Sequence, residues 1–106
     1  MAIVTWDIQA VETRIALLEY GAENFGPITA KKFSEEIDRL EKFIALNPES
    51  GFIEPLLQGL GRLFRGKNFK KHFRLIFFYD EEKDNVHIVD IWDTRMAPKT
   101  LIKRIK

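Results

Sequence analysis

The hydrophobic rhythm of the chain divides it into a helical first half and a β-rich second half. Ile3-Val4-Thr5-Trp6 reads as a short strand, followed by Asp7 as a helix N-cap, with Trp6 placed to pack on Val11 as a hydrophobic staple. Ile8, Val11, Ile15, Leu18, Ala22 and Phe25 recur at three- and four-residue steps, which predicts one buried helical stripe. Gly26-Pro27 ends that helix and opens the next, because proline suits a first helical turn. Ala30, Phe33, Ile37, Leu40 and Ile44 form the apolar stripe of the second helix. Its outer face carries opposite charges four apart, at Lys32/Glu36, Glu35/Arg39 and Asp38/Lys42. Asn47-Pro48 terminates it, so the two helices should form an antiparallel hairpin.

Beyond the turn-rich Pro48 to Gly51, the spacing changes from helical to alternating. Leu60 to Arg65 suggests a strand, and Phe69 to Tyr79 is the clearest strand pattern in the chain. On it Phe69, Phe73, Leu75, Phe77 and Tyr79 share one face with Lys71, while Lys70, His72, Arg74, Ile76 and Phe78 share the other. Asp80 to Asn85 reads as a charged hairpin loop and Val86 to Trp92 as a second buried strand. Pro98 to Lys106 fits either a short basic strand or a helix. The predicted fold is α+β, in the order β-α-α-β-β-β. The helical hairpin covers one face of an antiparallel sheet of about four strands, and the other face, where Arg74 points, is left free.

Length and composition narrow the function classes. The 106 residues contain no Gly/Ser- or Pro-rich linker, which fits one domain spanning 1–106. No stretch approaches the ~20 apolar residues of a membrane span, so no membrane partner is expected. Met1-Ala2-Ile3-Val4 lacks the basic start and long apolar run of a secretory signal, and cysteine is absent; both fit a cytoplasmic protein. Without cysteine there is no thiol nucleophile and no cysteine-zinc site.

The net charge of +1 hides a strong asymmetry. Residues 1–58 carry five Lys/Arg against ten Asp/Glu, whereas residues 59–106 carry twelve against six. Arg62 to Arg74 holds six cations and no acid, and Arg95 to Lys106 holds five and no acid. This asymmetry suggests a polyanionic or acidic partner on one side, although a dipolar solvated surface has the same composition. There is no Gly-rich phosphate loop, no His-rich metal spacing and no Gly-x-Ser-x-Gly nucleophile turn, so no metal or cofactor is implied. What remains is Arg62, Arg65, Lys67, Lys70, Lys71 and Arg74 on two adjacent strands and their connection, with His72 on the Arg74 side and Arg95 after the last strand. Clustered cations can bind phosphates and stabilise charge developing on them. A lysine among other cations also loses part of its preference for the charged form, which makes it a candidate for proton transfer.

Three segments carry a family resemblance: Asn47-Pro48-Glu49-Ser50-Gly51, Phe73-Arg74-Leu75-Ile76-Phe77-Phe78-Tyr79 and Val89-Asp90-Ile91-Trp92-Asp93-Thr94-Arg95. In this order and spacing, over essentially the whole chain, they resemble the RelE/ParE superfamily of bacterial type II toxins, also known as plasmid stabilisation proteins. The resemblance implies a cognate antitoxin that wraps and neutralises the toxin. RelE-like members cut mRNA in the ribosomal A site, while ParE-like members poison DNA gyrase. The RNase branch places an arginine at the position of Arg74 and another at that of Arg95. Arg65 and Lys67 fall where it tends to place two lysines. Arginine at position 65 departs from that pattern, because a guanidinium is a poor general base. The tyrosine that the best-known RNases carry after the last arginine has no counterpart, since Leu101 and Ile102 stand there.

Three readings follow. In the first, a ribosome-dependent, metal-independent mRNA endonuclease, Arg74 and Arg95 hold the scissile phosphate and Lys67 or Lys70 assists proton transfer. Arg62, Arg65, Lys71 and His72 line the RNA-binding surface. In the second, the chain is a non-catalytic, ParE-like toxin that binds gyrase. In the third, it is an inactive homologue that binds only its antitoxin. A plainer role for Arg74 and Arg95 is pairing with Asp90 or Asp93 to fasten the sheet.

Overall fold

The structure, a computed structural model, describes residues 1–105. Strand β1 (Ile3–Trp6) leads into helices α1 (Ile8–Phe25) and α2 (Pro27–Leu46). A two-residue strand β2 (Phe52–Ile53) and a 3-10 turn (Pro55–Leu57) precede β3 (Phe64–Phe69), β4 (Phe73–Asp80), β5 (Asn85–Asp93) and a short helix α3 (Pro98–Ile105). The five strands form one sheet in the order β1-β5-β4-β3-β2. Strands β2 to β5 run antiparallel to their neighbours, but β1 lies parallel to β5, with Ile3 opposite Asn85 and Trp6 opposite Ile88. The sheet is therefore mixed and five-stranded rather than antiparallel and four-stranded. No helix is long and apolar enough to cross a membrane.

The alternation expected along Phe73 to Tyr79 holds. Leu75 and Phe77 are fully buried beneath the hairpin with Ile37, Ile44, Ile88 and Ile91. Phe33 of α2 packs on Phe69 and Phe73, with ring centroids 5.5 and 5.1 Å away. The strand boundaries differ from those expected. Leu60 to Leu63 are bends and loop rather than strand, β3 runs on past the expected end at Arg65 to Phe69, and Lys70-Lys71-His72, read as the start of the next strand, form the turn into β4. Lys70 takes a left-handed conformation there (φ 51°), and no glycine marks the turn for a reader of the sequence.

Helix α1 is rotated from its apolar stripe. Ile8, Ile15 and Phe25 are 77, 51 and 65% exposed, while Ala10 is fully buried and Leu17 packs against the core. Small residues explain the choice of face. Ala10 sits flush on the core, and a Cβ at Gly21 would lie only 3.9 Å from Ala30, so α1 and α2 approach closely along this seam. Arg14 also lies on the inner side, bonding Ser34 Oγ and Asp38 of α2 at 2.9 and 2.8 Å, with its guanidinium 5.2 Å from the Trp6 ring. Trp6 donates to Glu41, and Asp7 makes no side-chain cap.

The sheet face opposite the hairpin is not free. Helix α3 and the segment around the 3-10 turn cover it, burying Leu57, Phe64, Ile76, Val89, Trp92 and Leu101 in a second core. A bulge on β5 shifts the register between Ile76, opposite Asp90, and Phe77, opposite Ile88. The extra residue turns both Val89 and Asp90 toward α3. There Arg104 Nη2 bonds the fully buried Asp90 at 2.7 Å and Thr13 Oγ1 at 2.8 Å, tying α3 to β5 and α1. The ambiguous basic tail is thus a helix with its apolar side on the sheet and Lys99 and Lys103 in solvent.

Candidate functional site

Period-two geometry separates the cations that the sequence grouped. Lys67 stands opposite Leu75 and Arg65 opposite Phe77, on the hairpin side, whereas Arg74 stands opposite Asn68 on the α3 side. Lys67 places Nζ 4.4 Å from the centre of the Phe43 ring of α2. Arg65 lines a small cleft with Glu49 and Glu81. Arg62 lies outside the strands with its guanidinium 4.3 Å from the Phe78 ring. It borders a cleft of about 460 Å3 beside α3, where Arg104 and His87 are met by Asp7 and Asp80. Lys70, Lys71 and His72 occupy the β3–β4 turn, exposed to solvent. The carbonyl of His72 accepts from the Thr94 backbone at 2.7 Å and from its hydroxyl at 3.1 Å, which fixes the turn to the chain leaving β5.

Arg74 is the most constrained of these groups. Its Nη1 donates to both carboxylate oxygens of Glu54, at 3.1 and 2.8 Å, and its Nε donates to Asn68 Oδ1 at 2.8 Å. Its guanidinium carbon lies 4.7 Å from the Phe52 ring centre. The Glu54 side chain is fully buried and also accepts from the Leu56 backbone N–H at 3.2 Å. Arg74 reaches this partner by passing over Gly66, where a Cβ would lie 2.9 Å from Arg74 Cδ and 3.0 Å from the Phe52 ring. Gly51, the last residue of the Asn-Pro-x-x-Gly turn, has φ 81°, and a Cβ on it would lie 2.5 Å from the Gly66 carbonyl oxygen. Two glycines therefore allow β2 and Arg74 to approach β3. Sequence reasoning missed Glu54. The available signal was a lone acid within Phe52-Ile53-Glu54-Pro55-Leu56-Leu57, where a buried charge calls for a cationic partner.

Arg95 is held by Asp93 instead. Nε and Nη2 donate to the two carboxylate oxygens at 3.1 and 2.9 Å, and the Arg95 backbone N–H donates to Oδ1 at 3.0 Å. These bonds from Arg95 lower the Asp93 pKa below the usual carboxylate range and raise that of the guanidinium. The Arg95 side chain stays 62% exposed. It lies on the hairpin side with Lys70, Lys32 and Phe73, around a groove of about 420 Å3 between the tip of the hairpin and the β3–β4 turn.

The eight cationic or imidazole groups thus form no single phosphate cradle. Lys70 and Arg95 share a groove, Arg74 is fastened on the opposite face, and Arg62, Arg65 and Lys67 are spread over other surfaces. Among the described residues no cluster of three or more His, Asp or Glu is placed to hold a metal.

Comparison with known proteins gives a consistent result. Residues 4–98 match the family model described as ParE toxin of type II toxin-antitoxin system, parDE. A solved structure described as the chromosomal ParDE TA system from P. aeruginosa superposes with a TM-score of 0.68 at 18% sequence identity. The match covers 88% of this chain and 96% of that one, and it shows a shared fold. No curated protein matches the sequence.

Proposed function

Because the chain belongs to the ParE toxin family of type II toxin–antitoxin systems, we propose that it acts by binding and poisoning DNA gyrase, without cutting RNA, and that a cognate antitoxin neutralises it. The observation that carries this reading is the fastening of Arg74. The RNase reading needs that guanidinium free to hold a scissile phosphate, yet Glu54 and Asn68 occupy three of its N–H directions. Only the Nη2 edge is left to a phosphate, so Arg74 could not clamp one through Nε and Nη1 without breaking its bonds to Asn68 and to the buried Glu54, at a cost of several kcal/mol (about 3–5).

The placement of the remaining groups supports the same conclusion. Proton transfer and phosphate clamping require the reacting groups to converge around one scissile phosphodiester, each within hydrogen-bond reach of its own oxygen. Lys67 and Arg74 lie on opposite faces of the sheet. Arg95 is paired with Asp93 and lies on the hairpin side, away from Arg74. A toxin that works by binding needs no such convergence.

The test is a direct comparison of the two targets. Purified toxin, incubated with gyrase, ATP and supercoiled plasmid, is expected to trap enzyme-linked DNA breaks that added antitoxin prevents. In a ribosome-containing translation extract, mRNA should remain intact. A-site cleavage of mRNA with no gyrase-dependent breaks would reverse the assignment.

A further inference from the structure

We propose that the cleft beside α3, on the sheet face opposite the hairpin, is a binding site for the guanine base of a nucleotide, either free or within a single-stranded nucleic acid. Its floor belongs to the second core, through the buried Phe64 and Val89. Its wall is a stack of flat groups. Phe78 of β4 and His87 of β5 are cross-strand partners, and their rings are tilted by only 9° with centroids 4.6 Å apart. The Arg62 guanidinium lies 4.3 Å from the centre of the same Phe78 ring. A planar base laid against these groups continues the stack, which apolar side chains alone would not orient. The enclosed volume of about 460 Å3 lies in the range of small-molecule sites.

The rim carries both signs of charge, and this separates a base from a simple anion. Asp7 and Asp80 supply carboxylates, and Arg62, Lys83 and Arg104 supply cations. Much of their bonding capacity is unspent. Arg104 uses only Nη2, on Asp90 and Thr13, so its Nε and Nη1 make no hydrogen bond among the described residues. Arg62 and Lys83 have no ion-pair partner there. Asp80 accepts from the Lys83 backbone N–H at 3.4 Å, and Asp7 faces His87 at 4.0 Å. A lone phosphate placed among these groups meets two carboxylates that repel it. Guanine uses both kinds of group. Its O6 and N7 are the acceptor pair that a guanidinium matches with two N–H bonds. Its neighbouring N1–H and N2–H groups are a donor pair that one carboxylate accepts. Adenine, cytosine and thymine present no two adjacent ring and amino donors, so a carboxylate beside a guanidinium selects against them. Lys83, exposed on the β4–β5 turn, is left for the phosphate of the same nucleotide.

The inference does not rest on the choice of gyrase as target. The probes are guanosine monophosphate, adenosine monophosphate, inorganic phosphate, an oligothymidylate and the same oligomer with one central guanine. Each is titrated to about 1 mM, suited to a single-nucleotide contact, into the isotope-labelled full chain. Guanosine monophosphate should shift the amide resonances of Arg62, Phe78, His87 and Arg104. Adenosine monophosphate and inorganic phosphate should bind at least about tenfold more weakly. Arg62→Ala, which removes one end of the stack, should weaken the guanine probe by about tenfold. One of Asp7→Asn and Asp80→Asn, whichever carboxylate accepts from N1–H and N2–H, should do the same. These positions are exposed or half-buried, and an unchanged spectrum elsewhere verifies the fold. Tighter binding of the guanine-containing oligomer than of the mononucleotide assigns the site to a nucleic acid, and equal or weaker binding assigns it to a free nucleotide. Absence of shifts with both guanine probes, equal affinity for adenosine monophosphate or phosphate, or full guanine affinity in Arg62→Ala or in both aspartate variants would each overturn the proposal.

Discussion

Arg74 and Glu54 form an ion pair in which the carboxylate is completely buried and the guanidinium only 19% exposed. This pair welds β4 to the segment after β2, across β3. Its two halves are not equivalent. Removal of Arg74 leaves a carboxylate with only the Leu56 N–H, while removal of Glu54 leaves a guanidinium that still bonds Asn68 and reaches solvent.

Arg74→Ala should therefore destabilise the fold by about 3–5 kcal/mol, the cost of an unpaired buried charge, and Glu54→Gln in that background should recover part of the loss. Urea unfolding of the two single variants and the double variant measures this. A loss of toxicity in Arg74→Ala would then follow from unfolding. A fully stable Arg74→Ala would show that the pair contributes nothing and free Arg74 for a functional role.

Glycine substitutions separate backbone strain from crowding. Gly26 and Gly59 have φ 91° and 83°, and a Cβ added to either would meet nothing within 4 Å, so alanine there should cost about 1–3 kcal/mol from the positive-φ backbone alone. Gly51→Ala meets the Gly66 carbonyl at 2.5 Å as well, and should cost clearly more and loosen the β2–β3 pairing. Equal unfolding midpoints for Gly51→Ala and Gly59→Ala would contradict the close approach.

Much of this architecture is legible in the sequence because burial and alternation coincide along β4 and β5. Phe73, Leu75 and Phe77 alternate with Arg74, Ile76 and Phe78, and only one register buries both sets. The orientation of α1 is not legible, since Ala10, Leu17 and Gly21 define a contact face through small size, while its larger apolar residues face outward. The turn at Lys70 lacks glycine, so its residues read as strand and the link between the two strands was placed too early, between Arg65 and Phe69. The candidate site inherited that error. Once β3 is registered against β4, Arg65 and Lys67 fall on the opposite face from Arg74, a consequence of pairing that the linear spacing does not contain. Glu54 was invisible for a similar reason, since it meets Arg74 across an intervening strand.

Asp90 makes stability depend on pH in the direction opposite to most carboxylates. Burial raises its pKa from 3.8 to about 6, against the opposing pull of Arg104 and the Ile91 N–H. With a folded pKa above the unfolded one, its contribution is fully present below about pH 4 and is lost as pH rises through 6. The difference in stability between wild type and Asp90→Asn should therefore change by up to about 3 kcal/mol between pH 4 and pH 7.5, with the wild type losing ground as pH rises. Chemical unfolding across that range checks the slope, and a pH-independent difference would mean that Asp90 stays ionised in both states.

Lys67 offers the sharpest separation of binding from catalysis. Its ammonium rests over Phe43 at 4.4 Å, on the hairpin side of β3, and it has no ion-pair partner among the described residues. Lys67→Met keeps the aliphatic stem and the contact with the ring, so stability should change by less than about 1 kcal/mol, the size of an exposed cation–π contact. A proton-transferring lysine cannot be replaced in this way, because methionine carries no titratable group, and general acid–base catalysis contributes about 10²–10⁴-fold. For a toxin that binds gyrase, Lys67→Met should arrest growth at near wild-type expression thresholds and trap the same DNA breaks, with antitoxin rescue intact. If the variant folds normally and is a hundredfold less toxic while DNA breaks are absent even for the wild type, Lys67 takes part in chemistry, and the binding mechanism fails with it.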